Sequence, residues 1–441
     1  MSDWELPEHI SIIEKRKAKK LLLAQQQNVK PVTQLLERPW VSIPEESRDT
    51  PANGFSTKIM TWNLLAQCLV RGRELFPTSD CLKAAQRGHL IHEEIERQNA
   101  DILCLQEVDR LEKLCPMLEK AGYAHRFACG PFKKHGCLIA YKSSMYSYAG
   151  DMTVFYDDQE VGSEGPDSQR IGKSFRTKNI GFIVALQRLD DPSKGIVVAT
   201  THLFWHPRYT YERTRQAGCL VREATAFKMA DPSRHTWPTI LAGDFNFAPL
   251  DPAYSLLTAS TLLPDHETLL RPSYVVHTSV DPTVAASPAQ VAADAEEGGE
   301  EQDPDRVIKN ARSTNPEDGL LDPASLVSFF SDLPRARSAY DLGLSRYFSI
   351  EKGRDVPIFG PAHSMDPSQP GFHEPAYTSY THYWKSVLDY IFVLTSDTLT
   401  VQVTGILSPL PGDKLEPGLP QKKICGSDHL PMVAEIKFEM S

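Results

Sequence analysis

The chain has 441 residues, 41% of them hydrophobic and 24% charged, a balance typical of a soluble globular protein able to bury a substantial core. It holds no apolar run of membrane-spanning length, and its acidic start Met1-Ser2-Asp3-Trp4-Glu5 is not a secretory or organellar leader, so the expected compartment is cytosol or nucleus. The net charge of −10 disfavours a polyanion-binding surface until it is localised: residues 281–305 carry eight acids and no Lys or Arg, which leaves −2 on the rest of the chain and permits a basic groove there.

In chain order, residues 1–50 read as an N-terminal extension. Ile10 to Gln27 is a helix candidate carrying Lys15-Arg16-Lys17-Ala18-Lys19-Lys20, read as a solvated face, a contact for RNA or a nuclear signal. From residue 51 to 441 the pattern is that of one catalytic domain. Strands are expected at 57–62, 100–105, 136–141, 180–187, 195–201, 238–243, 386–393 and 431–438, with helices over Cys81 to Gln98, Tyr209 to Ala230 and Pro252 to Leu257. Interleaving of this kind predicts an α/β fold with one or two central sheets. Residues 281–318 are acidic, rich in Ala, Pro and Gly and poor in large apolar side chains, which predicts a disordered surface insert within that domain. The eight cysteines form no Cys-x-x-Cys pair and no zinc-like spacing, as expected of structural thiols in a reducing compartment.

The strand candidates end in polar residues. They run into Asn63, Gln106-Glu107, His202 and Asp244-Phe245-Asn246; Asp389 interrupts an apolar strand, and Ser427-Asp428-His429 precedes the last one. A single Asn or Asp at such a place is commonly a turn residue or a helix cap. A carboxylate inside an apolar strand is costly unless it is paired or used. The combination predicts a shared active site that binds a cation, a water or a phosphate, with Asp244 able to take a proton from water and Asn246 able to hold an oxygen.

These stretches, Thr61-Trp62-Asn63-Leu64-Leu65, Leu105-Gln106-Glu107-Val108, Thr201-His202-Leu203, Gly243-Asp244-Phe245-Asn246, Leu388-Asp389-Tyr390-Ile391 and Ser427-Asp428-His429, resemble the exonuclease-endonuclease-phosphatase superfamily. Thr201 to Tyr209 and Tyr377 to Trp384 narrow the resemblance to its deadenylase branch, which includes nocturnin, the Angel proteins and, most similar, the fungal Ngl RNA exonucleases. The resemblance implies a DNase I-like four-layer α/β sandwich, two facing mixed sheets flanked by helices. It implies Mg2+, with Mn2+ as a substitute, held by Glu107 with Asp389, Asp428 and Asn63 as further ligands. Asp244 would polarise the attacking water, Asn246 would orient it, and His202 and His429 would donate to phosphate oxygens.

Pro207 and Trp384 would sandwich a 3'-terminal RNA base, with Ser379 standing where poly(A)-specific relatives carry an asparagine. The implied activity is 3'-to-5' exoribonucleolysis, the implied partner an RNA 3' end, with no membrane partner and no leucine-rich repeat for docking to the large deadenylase complex. Two alternatives stand beside it: an RNA 2',3'-cyclic phosphate phosphodiesterase of Angel type, which uses the same residues, and a catalytically silent RNA-binding scaffold, against which the complete set of acids and histidines argues.

Overall fold

The computed structural model describes residues 35–44, 54–70, 72, 74–284, 308–351 and 356–440. The basic helix expected between Ile10 and Gln27 lies outside them. Two large sheets organise the rest. One has seven strands in the order Trp40–Ser42, Leu399–Leu407, Met432–Met440, Gly54–Asn63, Ile102–Val108, Gly136–Lys142 and Tyr123–Ala128; the other has six, in the order Ala336–Ser338, Asp389–Leu394, Thr239–Asp244, Gly195–His202, Ile180–Arg188 and Tyr146–Phe155. Both are mixed, with parallel pairing between Gly54–Asn63 and Ile102–Val108 and between Gly195–His202 and Thr239–Asp244.

The period-2 alternation of strand side chains explains the layering. Ile102 and Cys104 enter the core between the sheets, whereas Leu103 and Leu105 enter a second core on the outer face. Ile196, Val198, Ile240 and Ala242 meet them from the opposite sheet, while Val197, Ala199 and Leu241 face outward. Because both faces are covered, these strands carry unbroken apolar runs, such as Ile102 to Leu105 and Ile196 to Ala199, before their polar ends. The helices Ala84–Gln98 and Leu111–Lys120 lie on one outer face through Ile91, Ile95, Leu114 and Leu118; Thr210–Met229, Pro252–Ala259 and Pro323–Ser331 lie on the other. The result is the four-layer α/β sandwich.

All eight expected strands and three expected helices are present. Others lacked a clean pattern. Tyr146–Phe155 and Leu399–Leu407 are only half buried, and Ala339–Ile350 packs Ala339, Tyr340, Leu344 and Tyr347 into the core between the sheets.

Two boundaries shift. The extension does not run to residue 50: Leu35, Val41 and Ile43 are buried, and Trp40–Ser42 pairs with Leu399–Leu407. Nor is the whole of 281–318 loose. Ala311–Ser313 pairs with Val275–His277, and Arg312 donates to Asp281 at 2.7 Å and bidentately to Asp318, also at 2.7 Å.

Beside the second sheet, Glu374 is fully buried; Tyr254 Oη donates to its Oε1 at 2.9 Å and its Oε2 has no partner. Burial, and then the neighbouring Asp341 charge, push its carboxyl up from 4.5 to about 8. The native state therefore holds a proton that the unfolded chain releases, and stability falls as pH rises from 4.5 towards 8. Glu374→Gln removes the ionisation while keeping the acceptor for Tyr254. Urea melts should show the variant more stable than the parent by about 1 kcal/mol or more at pH 8, with the gap closing near pH 5.

Candidate active site

The strand ends meet by register. Asn63 pairs with Gln106, His202 with Asp244, and Asp389 with Asp244, so five strands from two sheets deliver polar residues to one edge of the sandwich. Across the gap, Asn63 Nδ2 donates to Glu107 Oε1 and to Asp244 Oδ2, each at 2.9 Å. Its Oδ1 accepts from the Leu65 amide at 3.0 Å, which fixes the direction of the carboxamide. Glu107 Oε2 accepts from the Ala66 amide at 2.7 Å.

Glu107 has φ +55 and sits where the ladder to Gly136–Lys142 slips between Leu105 and Val108. This bulge re-aims its side chain towards the cleft. Asn246 is placed differently from the simple alternation expected. The strand ends at Asp244; Asn246 follows in a left-handed turn with φ +53, its amide N donating to Asp244 Oδ1 at 3.0 Å and its Nδ2 to the Leu203 carbonyl at 2.9 Å.

His429 Nδ1 donates to Asp389 Oδ2 at 2.8 Å, and its Nε2 lies 3.7 Å from Asp244 Oδ2. Burial opposes the imidazolium, but Asp389, Asp244 and Asp428 together outweigh it and raise its pKa well above the usual histidine value. His202 spans the other side, Nδ1 at 3.8 Å from Glu107 Oε1 and Nε2 at 3.7 Å from Asp244 Oδ2. Burial pushes the Glu107 carboxyl up; burial and then the nearby Asp389 charge do the same to Asp244. Acids crowded in this way are relieved by a cation.

Asp244, Asp389 and His429 offer ligand atoms within 4.8 Å of one another. Within that trio the Asp389 and His429 contact is already a hydrogen bond, while Asp389 Oδ1 is buried without a partner. Two carboxylates and an imidazole nitrogen at this spacing suit a divalent cation.

A cavity of about 320 Å³ opens on this cluster. Asn63, Glu107, His202, Asp244, Asn246, Asp428 and His429 line its polar side, and Leu69, Phe76, Trp205, Pro207 and Trp384 its apolar side. Asp389 stands behind His429, outside the lining. Ser379 does not face the cavity either: it is fully buried, accepts from Trp384 Nε1 at 3.1 Å and donates to the Asp428 carbonyl at 3.3 Å. It is placed to hold the ring, not to touch a base edge.

The chain belongs to the Endonuclease/Exonuclease/phosphatase family, whose model matches residues 60–429. It is 29% identical over 468 residues to a probable RNA exonuclease of Schizosaccharomyces pombe, covering 97% of this chain and 87% of that protein. It is 27% identical to the RNA exonuclease NGL2 of Saccharomyces cerevisiae, over 98% of this chain and 89% of the relative. Among solved structures, Angel2, a 2',3'-cyclic phosphatase, superposes with a TM-score of 0.59 at 22% identity, over 91% of this chain and 98% of that one. The human nocturnin catalytic domain gives 0.51 at 19%, over 91% and 97%. At these identities the structural likeness shows the fold. Among the described residues, no helix is long and apolar enough to cross a membrane.

Sequence reasoning missed the residues that hold the site from behind. Arg87 is fully buried on the Ala84–Gln98 helix, donates from Nη2 to the Leu64 and Leu65 carbonyls and from Nε to the Gly426 carbonyl at 2.6 Å. It ties the turn after Asn63 to the segment before Asp428. Arg213 likewise reaches the His206 and Pro207 carbonyls and Asp251. A buried arginine facing carbonyls cannot be told from a surface one by helix periodicity; only the segment it meets distinguishes them. Arg87→Met should lower stability by about 3 kcal/mol or more by stranding three carbonyls, read from the urea midpoint. The fraction still folded should show reduced kcat, because Asn63 and Asp428 lose their common anchor.

Proposed function

We propose that this protein is a divalent-cation-dependent 3'-to-5' exoribonuclease that hydrolyses RNA phosphodiesters to nucleoside 5'-monophosphates in the cytoplasm or nucleus. The observation that carries the reading is the convergence of Glu107, Asp244, His202 and His429 on one cavity whose apolar side includes Pro207 and Trp384. The names of the two fungal relatives point to the same chemistry.

Mg2+, or Mn2+ in its place, held at Glu107 with Asp428 as a further ligand, would supply positive charge to the scissile phosphate; Asn63, whose Oδ1 is taken by the Leu65 amide, and Asp389, which stands behind His429, are not placed as the ligands expected of them. Asp244 takes the proton from the attacking water, and the Asn246 carboxamide, locked by Leu203, orients that water or a phosphate oxygen. His429, kept protonated by Asp389, donates to a non-bridging oxygen as charge builds, and His202 donates from the opposite side. The bond to the 3' oxygen of the penultimate nucleotide breaks, so the terminal nucleotide leaves with its 5'-phosphate. Trp384, held by Ser379, offers a ring face to the terminal base opposite Pro207, which reads any base alike.

A pure sample should shorten a 3'-hydroxyl oligoribonucleotide from its 3' end with release of nucleoside 5'-monophosphates, and excess chelator should stop it. Cleavage of a circular RNA would refute an exonuclease. Preference for an oligonucleotide ending in a 2',3'-cyclic phosphate would favour the phosphatase alternative instead. Glu107→Ala and Asp244→Ala should each reduce kcat by about 10²-fold or more at an unchanged fold, checked by circular dichroism.

The pH dependence follows from His429. The reaction needs the imidazolium, so activity is lost as pH rises through its raised pKa. Asp389→Asn removes the first of the charges that raise it, and the alkaline limb of the kcat profile should move to lower pH. An unmoved limb would mean that His429 is not the donor.

A further inference from the structure

The most exposed large apolar side chain among the described residues lies beside the active-site cavity. Phe132 is 97% exposed at the tip of the hairpin joining Tyr123–Ala128 to Gly136–Lys142. Exposure alone means little, but its backbone is unusual. Pro131 leads a turn closed by the Lys133 amide donating to the Gly130 carbonyl at 3.1 Å, and Phe132 takes the following position with φ +63. That position ordinarily selects Gly or Asn. A bulky ring stands there at a conformational cost and buries nothing in return.

The hairpin packs against a second loop, 173–179. Their backbones touch so closely that a Cβ on Gly130 would lie 2.0 Å from the Lys178 carbonyl oxygen. Between them, residues 130–135 and 173–179 carry Lys133, Lys134, Lys173, Arg176 and Lys178 and no acid, in a chain whose net charge is −10. Two carboxylates reach the 173–179 loop from beneath and both are spent: Asp157 accepts from the Thr177 and Lys178 amides at 3.0 and 2.9 Å, and Glu212 accepts from the Ser174 amide at 2.9 Å and pairs with Arg215. Lys178 Nζ stands 5.9 Å from the centre of the Phe132 ring.

The pair of loops is continuous with the site. His135 and Asn179 line the cavity; Asn179 Oδ1 accepts from Lys133 Nζ at 3.1 Å, and its Nδ2 donates to the His202 carbonyl at 2.6 Å.

We propose that Phe132 is a stacking platform for a nucleotide upstream of the scissile bond, with Lys134 and Lys178 binding the phosphates that lead from it to the cavity. The inference rests on the reading of the substrate as single-stranded RNA. An exposed ring beside a cationic track is the arrangement that holds single strands without base preference. It also explains how an acidic protein grips a polyanion: the charge is concentrated on two touching loops.

The test uses the full-length protein with a decamer whose terminal linkages carry methylene in place of the 3' oxygen, so that no scissile bond to oxygen is present, for binding by fluorescence anisotropy, and a 3'-hydroxyl decamer and dinucleotide for turnover. Phe132→Ala should raise the Kd and the decamer KM by about tenfold, while kcat, the dinucleotide KM and the melting temperature stay at the parent values. Phe132→Trp should restore binding. Lys134→Gln combined with Lys178→Gln should flatten the plot of log Kd against log salt by about 0.7 for each lysine removed. Unchanged decamer binding in Phe132→Ala, or equal losses on decamer and dinucleotide, would overturn the platform. Parent protein that binds the decamer through Phe132 but releases no mononucleotide would leave the platform standing and refute the exoribonuclease reading.

Discussion

One carboxamide holds the two halves of the site together. Asn63 ends a strand of the first sheet and spends both N–H bonds on carboxylates, Glu107 from its own sheet and Asp244 from the other. Two buried acids that would repel each other are thereby held at fixed separation by a neutral donor, and the sheets cannot slide without breaking the bridge. An aspartate here would add a third negative charge in the same low-dielectric pocket, and an alanine would leave the pair unscreened. Everything else in the cluster takes its position from that frame: His202 and His429 stand on either side of Asp244, and Asp389 stands behind His429.

The frame is itself held at a distance. Arg87 gathers the carbonyls around Leu64, Leu65 and Gly426. Gln106, next to Glu107 and wholly buried, donates to Thr61 on its own sheet and to Thr200 on the facing one. These polar contacts lie between cores that are otherwise apolar, and they set which residues face one another across the sandwich, a selection that hydrophobic packing alone does not make.

Much of this was legible in the residues because the central strands are covered on both faces. Continuous apolar runs such as Ile102 to Leu105 and Ile196 to Ala199 announce themselves, and the polar residue that ends each run is conspicuous by contrast. The half-exposed strands Tyr146–Phe155, at a sheet edge, and Leu399–Leu407, covered on its outer side only at its last three residues, were not legible, since such positions tolerate Ser, Gly, Asp and Thr without a periodic signature. The aim of individual side chains was also hidden. Nothing in Leu105-Gln106-Glu107-Val108 discloses that a bulge turns Glu107 inward, and nothing around Ser379 discloses that it lies beneath Trp384 and not beside a base. Such placements depend on partners on other segments of the chain: the bulge is set against Gly136–Lys142, and Ser379 is bonded to the Asp428 carbonyl.

The short hairpin of Val275–His277 and Ala311–Ser313 has a consequence for how the molecule can vary. Its two strands are paired, Thr278 N donates to the Asn310 carbonyl, and Arg312 clamps Asp281 to Asp318, so the chain departs after residue 284 and returns at 308 through a closed gate. The pairing and the clamp fix where residues 284 and 308 stand, so both ends are anchored by contacts of the body itself. A sequence change confined between those two residues touches none of these anchoring bonds, which makes this the point at which a reporter domain could be spliced in with the gate left whole.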